Sequence, residues 1–126
     1  MSRVALFALP EDLERPLAQV LREEAHKVIR KLHLRDLRRG PKADALFLSA
    51  DHPNFRGTLS QLRESHPELP VIAVTRVPET AHWLDALDAG ATDYCGAPFE
   101  RVQIRWILNS VVRTERQAQR RAAAAA

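Results

Sequence analysis

The sequence is poor in the residue types that build covalent or metal-held frameworks. It contains one cysteine, Cys95, and four glycines among its 126 residues. A single cysteine excludes an internal disulfide and a cysteine-based zinc site, and the histidines show no metal-ligand spacing on a common helix face. The glycines form no phosphate-cradling loop of the Walker or dinucleotide type. We therefore expect no metal and no nucleotide cofactor.

Long apolar runs are also missing. No run approaches the ~20 residues that a membrane-spanning helix needs, and the first residues do not resemble a signal peptide. We therefore expect a cytoplasmic protein with no membrane association. The length suits a single domain, which we predict over residues 1–114. Residues 115–126, which end in alanines, are predicted to continue as a frayed helix or a linker.

Positive charge is concentrated in two places. The net charge is +3, and the excess of basic residues comes from Lys27 to Lys42 and from Arg113 onward. Neither stretch contains a Phe, Tyr or Trp that would stack on bases, as many nucleic-acid modules do. Direct binding to nucleic acid is therefore not the expected function, although a regulator that contacts nucleic acid through these segments is one alternative.

Apolar runs alternate with amphipathic stretches along the chain. The runs predict five strands, and the stretches between and after them predict helices. Pro16 suits a first helical turn, which predicts that the first regular helix begins near Glu14 or Arg15. Alternating strands and helices predict an α/β fold with a five-stranded, doubly wound parallel sheet of the flavodoxin type. The predicted strands are Val4–Leu9, His26–Leu32, Ala45–Leu48, Pro70–Thr75 and Thr92–Cys95. The predicted helices lie within 11–24, 34–39 and 78–90, around Leu59 and Leu62 with an end before Pro67, and from Pro98 onward.

One segment of the sequence resembles a known family. Residues 86–99 read A-L-D-A-G-A-T-D-Y-C-G-A-P-F, similar to the pattern A-L-x-A-G-A-x-D-Y-x-x-K-P-F from the fourth helix and fifth strand of bacterial response-regulator receiver domains. Pro53 and Gly57 match the loop that follows the third strand in that family. The resemblance extends over nearly the whole chain, to about Thr114, and implies a receiver-type fold and a role in two-component signal transduction.

The resemblance also implies that the phosphorylation chemistry has been lost. An active receiver needs acidic residues for Mg²⁺, an aspartate nucleophile, a lysine and a hydroxyl group. The acidic pair falls on Ala8 and Leu9, the phosphoacceptor on Ser49 and the lysine on Ala97. Thr75 matches the hydroxyl position, and Tyr94 matches the aromatic switch position. We therefore expect a non-enzymatic domain that signals through phosphorylation-independent protein–protein interaction.

Two other functions for this pocket remain open. Asp51 lies two residues beyond Ser49 and is a candidate displaced phosphoacceptor, with Glu11 and Asp12 as candidate carboxylates for Mg²⁺. The simpler interpretation places Asp51 in a turn and the two acids at the positive end of the first helix. Alternatively, the emptied pocket between Ala8, Ser49, Thr75 and Ala97 binds a small molecule.

The last helix has a wider apolar face than one packing contact needs. Ile104, Ile107, Leu108 and Val111 suffice for a core-facing stripe, which leaves Trp106 outside it. In receiver domains, the surface formed by the fourth helix, fifth strand and fifth helix is the usual place for dimerisation and output contacts. The resemblance therefore implies a protein partner, or a homodimer, at that surface. The interface candidates are Thr75, Trp83, Tyr94, Arg101, Arg105, Trp106 and Asn109. The alternative is that both tryptophans pack at the rim of the core.

Overall fold

The fold was analysed in a computed structural model that describes residues 2–38, 42–77 and 80–111. Within these ranges, strands and helices alternate as the sequence predicts. The elements are β1 (Arg3–Phe7), α1 (Glu11–Glu23), β2 (Lys27–Lys31), a 3₁₀ helix (Leu34–Arg38), β3 (Ala45–Ser49), α2 (Phe55–Ser65), β4 (Val71–Thr75), α3 (Thr80–Asp88), β5 (Asp93–Gly96) and α4 (101–111). The predicted tail, 115–126, lies outside the described residues.

The five strands form one parallel sheet in the order β2-β1-β3-β4-β5. β3 and β4 are buried along their whole length, as continuous apolar strands with helices on both faces should be. β2 is an edge strand with two exposed positions. The prediction of a five-stranded, doubly wound α/β fold is therefore confirmed.

Helices cover both faces of the sheet, and the sheet separates the core into two layers. On one face, α1 and α4 pack on alternate residues of the strands, with Leu17, Leu21, Ile104 and Leu108 at its centre. On the other face, the 3₁₀ helix, α2 and α3 cover the remaining strand residues, with Leu59 and Leu62 fully buried. Among the described residues, no helix is both long and apolar enough to cross a membrane.

Some predicted boundaries and element types were wrong. α1 begins at Glu11 and contains Pro16, not near Glu14. Pro16 is exposed, and packing of Leu13, Leu17 and Leu21 outweighs the lost backbone hydrogen bond. The second predicted helix is a 3₁₀ helix, so the predicted fourth and fifth helices are α3 and α4. α4 begins three residues after Pro98.

Arg63 of α2 fixes the far end of α3. Its Nε donates a hydrogen bond of 2.9 Å to the carbonyl oxygen of Gly90, and its guanidinium also donates to Leu69 O at 2.6 Å and to Thr92 Oγ1 at 3.2 Å. Gly90 has a φ of +109°, which closes α3 through backbone bonds typical of a Schellman motif. One half-buried cation thus joins α2, the end of α3 and the start of two strands.

Candidate functional site

The carboxyl ends of the strands meet along one edge of the sheet. Since β1, β3, β4 and β5 are consecutive neighbours, the residues that follow them lie side by side. The predicted pocket positions, Ala8, Ser49, Thr75 and Ala97, all fall on this edge. This is the edge at which parallel α/β sheets bind ligands and perform chemistry.

The positions that lack reactive groups are packed into the protein. Leu9 and Ala97 pack against the layer formed by α1 and α4, and Ala8 packs against the opposite layer. Ala8 has a left-handed φ of +58°, which is uncommon for a residue with a side chain. Ser49 is 1% exposed. Ala8, Leu9 and Ala97 therefore act as packing elements, and Ser49 is buried at the end of β3.

Asp51 binds the end of the neighbouring strand. Its Oδ1 accepts a hydrogen bond of 2.7 Å from Thr75 Oγ1, and its Oδ2 accepts one of 2.9 Å from the backbone N–H of Arg76. Thr75 is 2% exposed, and its Oγ1 also accepts a bond of 3.3 Å from the N–H of Val77. Asp51 lies in a turn, as predicted, but its carboxylate also holds Thr75 and Arg76 at the end of β4.

The Arg76 side chain extends this arrangement to α1. Its Nε and Nη2 donate hydrogen bonds of 2.8 and 2.7 Å to the two carboxylate oxygens of Asp12. This bidentate geometry suits a planar guanidinium. The hydrogen bond from Arg76 lowers the pKa of Asp12, and the same bond, with a smaller contribution from the charge of Asp51, raises the pKa of Arg76. We refer to Asp12, Asp51, Thr75 and Arg76 as the edge network.

The residues at this edge do not fit a divalent cation. Mg²⁺ prefers carboxylate oxygens, but Ala8 and Leu9 carry none and both oxygens of Asp12 bind Arg76. Glu11 pairs with Arg15 one turn along α1. Within the described residues, no three His, Cys, Asp or Glu side chains lie together as a metal-binding group.

A cavity of about 190 Å³ opens on the side of Thr75 that faces α2 and α3. Ala8, Ser49 and Ala97 do not line it. Its lining combines two carboxylates and one guanidinium with a hydroxyl and apolar side chains. The lining residues are Ala50, Asp51, Phe55, Arg56, Thr75, Asp85 and Ala86.

Tyr94 and Cys95 of β5 point into the protein interior. Tyr94 packs against the layer formed by α2 and α3, and its hydroxyl is buried without a hydrogen-bond partner among the described residues. Cys95 is 1% exposed. Burial, and to a lesser extent the charge of Asp93, raises the pKa of its thiol to about 12, so the thiol is protonated at neutral pH and a poor nucleophile.

α3 and α4 each carry exposed apolar side chains on their outward sides. Trp106 is 74% exposed and Trp83 is 42% exposed, whereas the predicted core stripe of α4 is buried as expected. The alternative that Trp106 packs at the core rim is therefore wrong. We call the outward sides of α3 and α4 the tryptophan surface; its large apolar members are Trp83, Leu84, Val102 and Trp106.

Two of the interface candidates contact α1. Arg101 Nε donates to Glu24 Oε1 at 2.9 Å, and Arg105 donates to both oxygens of Glu24, each at 2.9 Å. Hydrogen bonds from Arg105 and then Arg101 lower the pKa of Glu24 to about 2. Both arginines remain about half exposed, and Asn109 is exposed.

The edge network was the main feature that the sequence did not reveal. Arg76 directly follows the predicted hydroxyl residue, and Asp51 follows a strand. However, the contact between Arg76 and Asp12 joins residues 64 positions apart. The signal available was the presence of opposite charges within a few residues of strand ends, which the parallel sheet brings to one edge.

Solved structures of signalling proteins share this fold. NtrX from Brucella abortus, in complex with ADP, matches with a TM-score of 0.85 and 17% identity, over 97% of this chain and 28% of that chain. A response regulator receiver domain protein from Clostridium thermocellum gives 0.79 and 14%, over 94% and 99% of the two chains. The beryllofluoride-activated NtrC4 receiver domain dimer gives 0.73 and 18%, over 91% and 99%.

The match to NtrX involves only part of that protein, since the chain spans 28% of its length. No protein-family model and no curated protein matches the sequence. These structural matches cover between 91% and 97% of this chain. The chain therefore has the flavodoxin-like fold of response-regulator receiver domains.

Proposed function

We propose that the chain is a signalling domain that acts by binding other proteins, without phosphorylation and without enzymatic activity. The supporting observation is the engagement of Thr75 Oγ1 and the Arg76 N–H by the carboxylate of Asp51. The resemblance implies that the hydroxyl at position 75 binds phosphoryl oxygens in an active receiver. In this chain, a carboxylate of the protein already accepts its hydrogen bond.

The charges around Asp51 favour a permanent arrangement. A carboxylate that accepts hydrogen bonds from a hydroxyl and a backbone N–H satisfies both donors. Arg76 then fixes the same loop to α1 through Asp12. An incoming phosphoryl group would have to displace a tethered anion, whose effective concentration at the site is high. The edge network therefore supports a domain whose state is independent of phosphate donors.

The tryptophan surface supports a protein partner. Large exposed aromatic side chains are enriched at interface hot spots, and Trp106 is the most exposed of the four residues in this surface. The NtrC4 receiver domain, which shares the fold, was solved as a dimer. We propose that the same surface mediates a homodimer or docking to another signalling protein.

Exposure to phosphate analogues tests the first proposal. The chain is incubated with Mg²⁺ and either acetyl phosphate or a beryllofluoride salt, and intact mass and amide chemical shifts are recorded. We expect no mass increase and no shift changes at the edge network beyond those that Mg²⁺ alone produces. An active receiver domain treated in parallel serves as the positive control for the reagents.

The alternative is phosphorylation at Asp51. It is favoured by one observation, the 2.7 Å contact between this carboxylate and the hydroxyl at the phosphoryl-binding position. A stoichiometric adduct that disappears in Asp51→Asn would establish this alternative and overturn the phosphorylation-independent function. An adduct that persists in Asp51→Asn would indicate a different acceptor.

Solution mass tests the dimer. Wild type and Trp106→Ala are compared by light scattering over a range of concentrations, with Gln103→Ala, an exposed neighbour on α4, as the matched control. A dimer that Trp106→Ala weakens and Gln103→Ala does not would support the tryptophan surface. A wild-type chain that stays monomeric at high concentration would eliminate the homodimer.

A further inference from the structure

Charge is strongly segregated between one segment and the rest of the domain. Residues 25–42 contain seven lysines and arginines and a single acidic residue, whereas the rest of residues 1–111 contains eight basic and fourteen acidic residues. The positive segment includes β2 and the 3₁₀ helix, at the edge of the sheet opposite to β5. The small net charge of the chain therefore conceals one basic edge on an otherwise acidic domain.

The basic edge combines exposed charge with an exposed strand. β2 pairs with β1, and no other strand of the described ranges lies on its outer side. Its outward backbone N–H and C=O groups are thus available for pairing. Lys27 and Arg30 are exposed, and Leu32, directly after the strand, is 77% exposed.

Side-chain alternation places basic residues on both faces of β2. Val28 packs in the layer formed by α1 and α4, and Arg30, two residues later, pairs with Glu14 of α1. Lys27 and Lys31 therefore project on the opposite face, because neighbouring side chains of a strand alternate. A strand added along β2 would meet the ammonium groups of Lys27 and Lys31 on one face, and on the other face the guanidinium of Arg30, whose charge Glu14 already balances.

We propose that the outer side of β2 docks an extended, acidic segment of a partner protein by strand addition. Backbone pairing would supply binding energy, the basic side chains would select acidic residues, and Leu32 would contact an apolar residue of the segment. Like-charge repulsion disfavours pairing between the β2 strands of two copies. Nucleic acid is less well matched, since residues 25–42 offer no Phe, Tyr or Trp for stacking.

A peptide titration tests this docking surface. The probe is a short synthetic peptide of alternating Glu and Val, added to the full chain while amide chemical shifts are recorded by NMR. We expect changes concentrated at residues 27–32 and weaker binding at higher salt. Lys27→Glu with Lys31→Glu should weaken binding by about tenfold or more.

Matched controls make the result decisive. Arg56→Glu makes the same charge change as Lys27→Glu, but at an exposed position in the first turn of α2, where an acidic residue suits the helix dipole. It should leave the affinity within about twofold. A peptide with Lys in place of Glu should not bind. Thermal melts verify that each variant is folded.

Three outcomes would overturn the proposal. These are the absence of binding at millimolar peptide, shift changes located away from β2, and equal weakening by Arg56→Glu. Binding of a DNA duplex to the same residues without peptide binding would assign the surface to nucleic acid instead. Salt-sensitive self-association abolished by Lys27→Glu with Lys31→Glu would assign it to a second copy.

Discussion

The edge network and the tryptophan surface differ in whether their side chains have partners within the chain. In the edge network, each charged or hydroxyl group meets a partner within the chain, as in the contacts of Asp51 with Thr75 and of Asp12 with Arg76. On the tryptophan surface, Trp106 and Val102 are 74% and 59% exposed. The first region is satisfied without a ligand, and the second leaves apolar area in water.

This difference indicates where interaction free energy remains available. A polar group that already has an internal hydrogen bond gains little by exchanging it for another. An exposed apolar side chain, by contrast, gains free energy from each Å² that a partner covers. The comparison therefore favours the tryptophan surface over the edge network as a place for binding. Four measurements test this difference.

Among the contacts between polar groups, the largest effect is expected from removing Arg63, which holds the end of α3. Arg63→Ala would leave the carbonyl groups of Leu69 and Gly90 without its hydrogen bonds. We expect the free energy of unfolding to fall by about 2–3 kcal/mol, measured by urea denaturation. Arg56→Ala, at an exposed site of the same helix, should stay within about 0.5 kcal/mol. If Arg63→Ala and Arg56→Ala lowered the free energy of unfolding equally, the hydrogen bonds of Arg63 would not stabilise the end of α3.

A smaller loss is expected within the edge network. Thr75→Val keeps the shape of the buried side chain but removes the hydroxyl that binds Asp51. We expect destabilisation of about 1.5–2 kcal/mol, at the lower end of the range for a hydrogen bond to a charged group, because Asp51 is exposed to water. Thr75→Ser retains the hydroxyl and serves as the control. If the valine variant were as stable as wild type, the network would not hold the loop after β4.

A modest, pH-dependent effect is expected at Glu24, which links α1 to α4. Its pKa is about 2 in the folded chain and 4.5 in its ordinary state. Since the folded-state pKa is depressed, the stabilisation is fully present above pH 4.5 and is lost as the pH falls towards 2. Glu24→Gln should therefore be less stable than wild type at neutral pH and nearly equal to it near pH 2. Urea midpoints measured across this range provide the check.

Arg105→Gln is the complementary variant for this link. It removes the largest cause of the lowered pKa of Glu24, so it should reduce the same acid-dependent difference. A stability gap between wild type and Glu24→Gln that stayed constant down to pH 2 would show that ionisation of Glu24 contributes nothing to the contact between α1 and α4.

The smallest stability change is expected at Trp106. Because its side chain is mostly exposed, Trp106→Ala should alter the free energy of unfolding of the monomer by less than about 0.5 kcal/mol. Ile107→Ala, on the buried face of the same helix, should cost about 2–5 kcal/mol. A large loss of free energy of unfolding in Trp106→Ala, measured at low protein concentration, would mean that the Trp106 side chain packs on the core and is not available to a partner.

The sequence was sufficient to predict the fold because local patterns agree with one another. Continuous apolar runs indicated strands covered on both faces, and the residues of α4 at three- and four-residue spacings indicated its buried stripe. The start of α1 was missed because Pro16 was judged by local backbone preference. Packing of Leu17 and Leu21 decides where that helix begins, and such packing is not local information.

The candidate site was only partly predictable. The edge residues Ala8, Ser49, Thr75 and Ala97 could be placed because parallel strands end at a common edge. The partners of Asp51 could not be predicted, since they depend on which rotamer and which turn bring Thr75 and Arg76 within 3 Å. The contacts of Arg101 and Arg105 with Glu24 could not be predicted either, because they join residues 77 and 81 positions apart in the sequence.

The positive charge of Arg76 differs from that of a bound metal ion in one respect. A metal ion at such an edge is a dissociable component, and its occupancy follows the free concentration of the ion. The guanidinium of Arg76 is covalently attached and stays charged at any physiological pH. Its ion pair with Asp12 therefore needs no dissociable component. At this edge, the charge that faces Asp12 is therefore part of the polypeptide itself.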